Sequence, residues 1–284
     1  MTASVGKAVL ITGCSSGIGL CVAEGLKQRG YRVFATARNP KDVERLAADG
    51  FESLVLDLQD RSSIGAAVEA VLRRTDNRLY ALFNNGAYGQ PGAVEDLTTD
   101  VLRAQFEANF FGWHELTCLV LPVMRAQGEG RIIQNSSVLG FVALKYRGAY
   151  NASKFALEGL TDTLRQELEG TNIHVSLVEP GPIVSKFREN AYRAFKKNID
   201  VERSPHRKVY EVVERRLAND KDEPPFTLPS SAVLRKVIHA LESTRPKPRY
   251  YVTVPTYAFG VLKRFLSSRM MDRILGFASG AESR

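Results

Sequence analysis

Cysteine is scarce in this chain. Three stand among 284 residues, Cys14, Cys21 and Cys118. An odd, sparse set with no C-x-x-C spacing makes no disulfide framework and points to a reducing, cytoplasmic setting. The four histidines, His114, His174, His206 and His239, are scattered. None pairs at metal-ligand spacing, so no metal site is expected. "WHEL" at 113–116 lacks the second histidine of a zinc-protease helix. No apolar run approaches the roughly 20 residues a spanning helix needs. The start, "MTASVGKAVLITG", lacks the long apolar core of a signal peptide, and none is expected. Repeats and low-complexity tracts are missing too. Charge is present but uneven. The net value is +8, and Arg245–Arg284 carries eight Lys/Arg against two Asp/Glu. A nucleic-acid partner would need a basic face with aromatic or groove-reading motifs, and none is visible.

What the chain does have is alternation. "KAVLITG" reads as a buried strand, 17–29 as a helix stopped by Gly30, and "RVFATA" as a second strand. Helix 41–49, strand "SLVLDL", helix 61–74 and strand "LYALFNN" follow. Next come a long helix near 100–126, strand "GRIIQNSS", helix 150–169 and strand "NIHVSLVEPG". Near-continuous apolar strands alternating with helices predict a doubly wound, mostly parallel α/β sheet covered on both faces. Residues 185–228 are polar and strand-free, the length of a functional lid or of a disordered segment. "SSAVLRKVIHALE" reads as a capped helix and "RYYVTVP" as a seventh strand. From Thr256 the tail is amphipathic. Val261, Leu262, Phe265, Leu266, Met270, Ile274 and Phe277 fall on one helical face, with Lys263, Arg264, Arg269, Asp272 and Arg273 elsewhere.

Two motifs carry chemistry. "ITGCSSGIG" joins the first strand to the first helix with Gly13, Gly17 and Gly19. Bare backbone there lets a pyrophosphate approach, and the helix N-terminus offers free N–H groups to an anion. Sites that prefer NAD place an acid at the end of the second strand. This chain has Thr36–Ala37–Arg38, and a guanidinium pairs with a 2′-phosphate, which favours NADP(H). A solvated surface arginine is the plainer alternative.

The second motif is "GAYNASKFALEGL". Tyr150 and Lys154, four apart, project from one helix face. A phenol with a pKa near ~10 is a poor acid–base at neutral pH, and an adjacent ammonium lowers it. Thirteen residues earlier, Ser137 stands at a strand's carboxyl end, where a hydroxyl can hydrogen-bond a substrate carbonyl. Its neighbour Ser136, on the opposite strand face, stays open for the same part.

With these parts the sequence resembles the short-chain dehydrogenase/reductase family, in its hydroxysteroid- and retinol-dehydrogenase-like branch, including bacterial aldehyde reductases. The likeness is close over roughly residues 5–185. It rests on Thr12, Gly13, Gly17 and Gly19 for the turn, and on Ser137, Tyr150 and Lys154 for the proton-transfer set. The resemblance implies a Rossmann-like sheet of order 3-2-1-4-5-6-7. It implies Asp57 and Leu58 at the adenine, and Asn109 as a fourth catalytic member that holds a water. It places Ser15, Ser16 and Ile18 in the phosphate turn. Asn85 and Gly86 fall near the ribose, Pro180–Gly181 and Ile183 in the turn past the sixth strand, and Ser185 at the carboxamide. Residues 1–255 would form one oxidoreductase domain, with 185–228 as its substrate lid and 256–284 as a basic tail. Hydride would pass between the nicotinamide and a carbonyl carbon, with Tyr150 exchanging the proton.

The substrate is less legible. Phe187, Tyr192, Phe195, Tyr210 and Phe226 in the lid, and Leu139, Phe141, Val142 and Leu144 after the serine, suit a lipophilic aldehyde, ketone or alcohol. Core packing is the alternative for the latter four. Steroid or retinoid oxidoreduction stays open, as does a regulatory module that binds dinucleotide without turnover. A sugar epimerase or dehydratase shares Y-x-x-x-K, but such chains are generally longer and space their glycines differently. The tail could meet a membrane peripherally over 256–278, pack on its own domain or join subunits. The family often forms dimers or tetramers through two long helices. One departure stands out. The family's fourth strand ends N-N-A-G, and this chain reads Asn84–Asn85–Gly86–Ala87. A negative φ at Ala87 is expected, with Gly86 taking up the turn one residue earlier.

Overall fold

A computed structural model describes residues 6–218 and 224–281. Residues 1–5, 219–223 of the lid segment and 282–284 of the tail lie outside them. Seven parallel strands form one open sheet: β1 (Ala8–Ile11), β2 (Arg32–Ala37), β3 (Glu52–Val55), β4 (Ala81–Asn84), β5 (Gly130–Asn135), β6 (Ile173–Glu179) and β7 (Arg249–Tyr251). Their order is β3-β2-β1-β4-β5-β6-β7. The crossovers between successive strands are helices: α1 (Gly17–Gln28), α2 (Pro40–Ala48), α3 (Arg61–Arg74), then α4 (Thr99–Phe106) with α5 (Gly112–Gln127), and α6 (Gly148–Glu167).

Side chains alternate across each strand, so the sheet feeds two cores. Val9 and Ile11 of β1 face Val22, Ala23 and Leu26 of α1, with Val233 and Val237 of α9 (Ser231–Glu242). Ala8 and Leu10 face Ile64, Val68 and Val71 of α3, with Leu116, Val120 and Met124 of α5. Gly25 lets α1 and α9 touch: a Cβ there would lie 2.3 Å from Leu234 Cδ2. Gly30 ends the first unit as expected, at φ +86° with its N–H on the Lys27 carbonyl.

Register brings the strands' carboxyl ends level. Ile11 pairs with both Ala35 and Phe83, Asn84 with Gln134, and Asn135 with Val178. Thr12, Arg38, Asn85, Ser137 and Pro180 therefore gather along one edge of the sheet.

Four local expectations change. The helix near 100–126 is interrupted by a π turn, Glu107–Phe111. The seventh strand stops at Tyr251, because Pro255 and Val254 open the helix α10 (Val254–Phe265). Ser230 does not cap α9; its hydroxyl donates to the Val184 carbonyl at 3.0 Å. The tail is two helices, α10 and α11 (Ser268–Ala281), so its apolar residues do not form one face. Leu262 and Leu266 turn inward, while Val261, Phe265, Met270, Ile274 and Phe277 are exposed.

The lid contains α7 (Phe187–Asn198) and α8 (Arg207–Ala218) and is tied at its base by an Ile183–Leu228 bridge. Phe195 and Tyr210 do not line a pocket. They stack edge-on at 5.3 Å and fill the lid's own core with Ala93 and Ile199. Tyr210 is further fixed by hydrogen bonds to Asp96 and from the Ala93 N–H. Tyr192 is held by Glu214 at 3.1 Å, and Phe226 is exposed.

Candidate active site

The turn after β1 is built on close approach. Gly13 (φ +71°) carries no Cβ because one would lie 2.7 Å from the Gly86 Cα. A Cβ on Gly17 (φ +59°) would meet the Ser185 Cβ at 3.0 Å, and one on Gly19 the Gly13 carbonyl oxygen at 2.2 Å. Ser16 leads into α1 without a side-chain cap. The amides of Gly17, Ile18 and Gly19 at the helix head thus meet no capping side chain, and the helix dipole adds partial positive charge. A cradle that any Cβ would fill, beneath an uncapped helix head, fits a dinucleotide's pyrophosphate. Ser15 is held from outside by Arg45, whose guanidinium donates to its carbonyl at 2.6 Å. Nothing in the sequence pattern singled out Arg45.

Thr12 joins this turn to β4. Its Oγ1 accepts the N–H groups of Asn85 and Gly86, each at 2.8 Å. The Asn85 amide donates to the Thr12 and Gly13 carbonyls and accepts from Asn135 at 2.9 Å. Ala87 is not among the residues of positive φ, as expected. Gly86 does not adopt a left-handed turn either, which corrects the expectation for it. Its requirement is contact: its bare Cα packs on Gly13, and its carbonyl accepts the indole N–H of Trp113 at 2.8 Å.

Arg38, just past β2, is exposed and makes no ion pair among the described residues. Asp57 lies past β3, where its Oδ1 accepts the Gln59 N–H at 3.0 Å. Leu58 meets Gly86: a Cβ on that glycine would lie 3.0 Å from Leu58 Cδ1. Pro180 follows β6 and accepts the Val138 N–H at 2.8 Å. Gly181 lies against Thr253, whose Oγ1 would be 2.2 Å from a Cβ. Ser185 Oγ bonds the Ile183 carbonyl at 3.3 Å.

Tyr150 and Lys154 sit on the buried side of α6, 9% and 1% exposed. Burial pushes the Tyr150 phenol up to about 12; the neighbouring Ser137 hydroxyl and the charge of Arg147 pull the other way. Burial drives the Lys154 ammonium down to about 7, opposed by the charge of Glu158. Lys154 Nζ donates to the Asn135 carbonyl at 2.9 Å and lies 4.1 Å over the Trp113 ring. Ser137, rather than Ser136, is the hydroxyl at the phenol. Ser136 turns toward Glu158 beneath Gly140. Asn109, carried by the π turn, grips the Tyr88 backbone on both sides. Its Oδ1 accepts the Tyr88 N–H at 3.2 Å, and its Nδ2 donates to the Tyr88 carbonyl at 2.9 Å. The same Nδ2 reaches Ser153 at 3.3 Å. Phe187 stacks edge-on over Tyr150 at 5.3 Å. Leu139, Val142 and Tyr150 form an apolar cluster with Met271 and Leu275, against which Phe141 and Leu144 pack.

Nothing in the sequence pattern singled out Trp113, whose partner is the Gly86 carbonyl. The Asn135 carbonyl that holds Lys154 has no sequence signal, because any residue supplies a carbonyl.

The family description "short chain dehydrogenase" matches residues 7–195. The chain belongs to the short-chain dehydrogenase/reductase family. It is 45% identical to an uncharacterised oxidoreductase, YbbO, of Escherichia coli K12 over 269 residues, covering 95% of this chain and 94% of that protein. It is 30% identical to mouse 17-beta-hydroxysteroid dehydrogenase type 6 over 293 residues, 96% and 89% of the two chains. It is 31% identical to an NADPH-dependent 3-dehydrocapnine reductase of Ornithobacterium rhinotracheale over 273 residues, 93% and 94% of the two. A solved short-chain dehydrogenase from Streptomyces avermitilis superposes with a TM-score of 0.77 at 29% identity, covering 97% of this chain and 98% of that one. This member of the family is thus an oxidoreductase with a nicotinamide dinucleotide site, in the company of hydroxysteroid dehydrogenases. Among the described residues no helix is long and apolar enough to cross a membrane.

Proposed function

We propose that this protein is an NADP(H)-dependent reductase of lipophilic aldehydes or ketones. The observation that carries the reading is the convergence of Ser137, Tyr150 and Lys154 under an apolar roof of Phe187, Leu139 and Val142. A bound reduced nicotinamide supplies hydride to the carbonyl carbon. Ser137 orients the carbonyl oxygen. Tyr150, protonated at neutral pH because it is buried, delivers the proton to that oxygen. The ammonium of Lys154 favours the phenolate left behind and holds the nicotinamide ribose. Asn109 acts through the loop it grips, since its amide is committed to Tyr88. In the reverse direction Tyr150 accepts the proton of an alcohol.

Arg38 would pair with the 2′-phosphate, and the NADPH dependence named for the Ornithobacterium relative supports the same cofactor. That relative's name also supports the direction of reduction. The mouse relative's name supports steroid oxidoreduction as the second reading, and retinoid oxidoreduction stays beside it as an alternative. A binding module without turnover would have no use for a tyrosine, serine and lysine so placed. Residues 1–255 would then be the catalytic domain with 185–228 as its lid, and 256–284 a tail. We place the protein in the cytoplasm, as a homodimer or homotetramer, where exposed Phe155 and Leu160 of α6 and Leu119 of α5 would be covered. The test is NADPH oxidation across straight-chain aldehydes, ketones, steroids and retinals. Turnover is expected to rise with chain length. No turnover across the panel would remove the reading.

A further inference from the structure

The α10–α11 hairpin has two sides with different tasks. Its inner side supplies Leu262, Leu266, Met271 and Leu275 to the cluster that contains Tyr150. The hairpin is therefore a wall of the catalytic site. Its outer side is apolar and uncovered. Val261 and Phe265 recur at helical spacing on α10, as do Met270, Ile274 and Phe277 on α11. Phe265 is 80% exposed and Phe277 82%. Phe265 and Met270 flank the turn between the helices, so its tip is apolar.

Cations surround that tip. Between Val254 and Ala278 stand Lys263, Arg264, Arg269 and Arg273 against one acid, Asp272. Lys263 is used internally, on the Phe141 carbonyl. Arg264, Arg269 and Arg273 make no ion pair among the described residues. An isologous contact with a second copy would bring the same arginines face to face, with one acid per chain to oppose them. Their charge complements an anionic surface, and exposed apolar residues among them complement acyl chains.

We propose that the α10–α11 hairpin seats this protein on an anionic phospholipid bilayer, with Phe265 and Met270 among the acyl chains and Arg264, Arg269 and Arg273 on headgroup phosphates. Because the hairpin also walls Tyr150, substrate would enter from the lipid side. That last step rests on the proposed reduction of lipophilic carbonyls; the docking itself does not.

The experiment is co-sedimentation of the full chain with vesicles of phosphatidylcholine and phosphatidylglycerol, or of phosphatidylcholine alone. The wild type is expected to partition at least about tenfold more strongly onto the anionic vesicles, and to be released as salt rises from ~0.1 to ~0.5 M. The pair Phe265→Ser/Met270→Ser, and separately Arg264→Gln/Arg269→Gln/Arg273→Gln, are each expected to lose about tenfold in partitioning. Melting temperature and turnover of a short, water-soluble aldehyde should not change in either variant. Equal partitioning onto both vesicles, or variants that partition like wild type, would overturn the proposal. So would a serine variant that alters sedimentation velocity but not partitioning, because the surface would then belong to a second copy. If the wild type partitions onto anionic vesicles and both variants lose that partitioning, but none turns over the aldehyde, the reductase reading fails and the docking stands.

Discussion

Lys154 is the residue whose protonation decides how the site responds to pH. Its ammonium is depressed to about 7 by burial, while the Tyr150 phenol is raised to about 12. Between these values Tyr150 keeps its proton and Lys154 loses its charge. The kcat/KM of reduction should therefore fall as pH rises through about 7, with the lysine setting the limb. Glu158 holds that ammonium up, so Glu158→Gln should move the limb to lower pH. An unmoved limb would assign it to another group. At the other end of the cofactor, Arg38→Ala should cut the preference for NADPH over NADH by about ten- to a hundredfold, the worth of a hydrogen bond to a charged group. Equal use of both cofactors by the wild type would contradict the assignment. Tyr150, Lys154 and Ser137 were legible because a spacing of four on a helix and a polar residue at a strand end have fixed geometric meaning. Trp113 and Arg45 were harder to read, because their partners are the Gly86 and Ser15 carbonyls, which any residue provides.

At the scale of elements, the turn after β1 tolerates little change. Gly19→Ala would place a methyl 2.2 Å from the Gly13 carbonyl oxygen. It should cost about 1–3 kcal/mol, read as a lowered Tm, and weaken dinucleotide binding measured by fluorescence titration. Unchanged affinity would mean that the turn does not form the phosphate cradle. Helices α1 and α3 lie where apolar period and turn residues put them. The π turn was illegible. Its sequence is an ordinary helical run, and the partner it presents Asn109 to, the Tyr88 backbone, has no side-chain signature. The tail was half legible: its apolar period is real, but the break at Leu266–Ser268 depends on which residues find Leu139 and Val142.

Over the whole molecule, alternation predicted the parallel sheet, and the resemblance alone implied its strand order. What alternation could not show is how the last strand is tied in. Arg249 of β7 lies among Glu158 and Asp162 of α6 and Glu179 of β6, at 2.6 Å from Asp162 and from Glu179. Those residues are 70 to 91 positions away in sequence, and nothing local marks them. Burial, then the charge of Glu158, raises the Glu179 carboxyl above its ordinary 4.5. The folded state then holds a proton that the unfolded chain releases. This contribution to stability is full below pH 4.5 and is lost as pH rises through the folded value. Glu179→Gln removes the titration, so its Tm relative to wild type should climb from about pH 5 to about pH 8. Parallel Tm curves would show that Glu179 does not titrate there.

The most direct measurement on the central claim compares wild type with Tyr150→Phe, in NADPH turnover of a long-chain aldehyde and in NADPH affinity. Phenylalanine keeps the ring against Phe187 and removes the proton. Affinity within about twofold and turnover lower by about 10²–10⁴ are predicted. Turnover near the wild-type rate would contradict the assignment of Tyr150 as the acid.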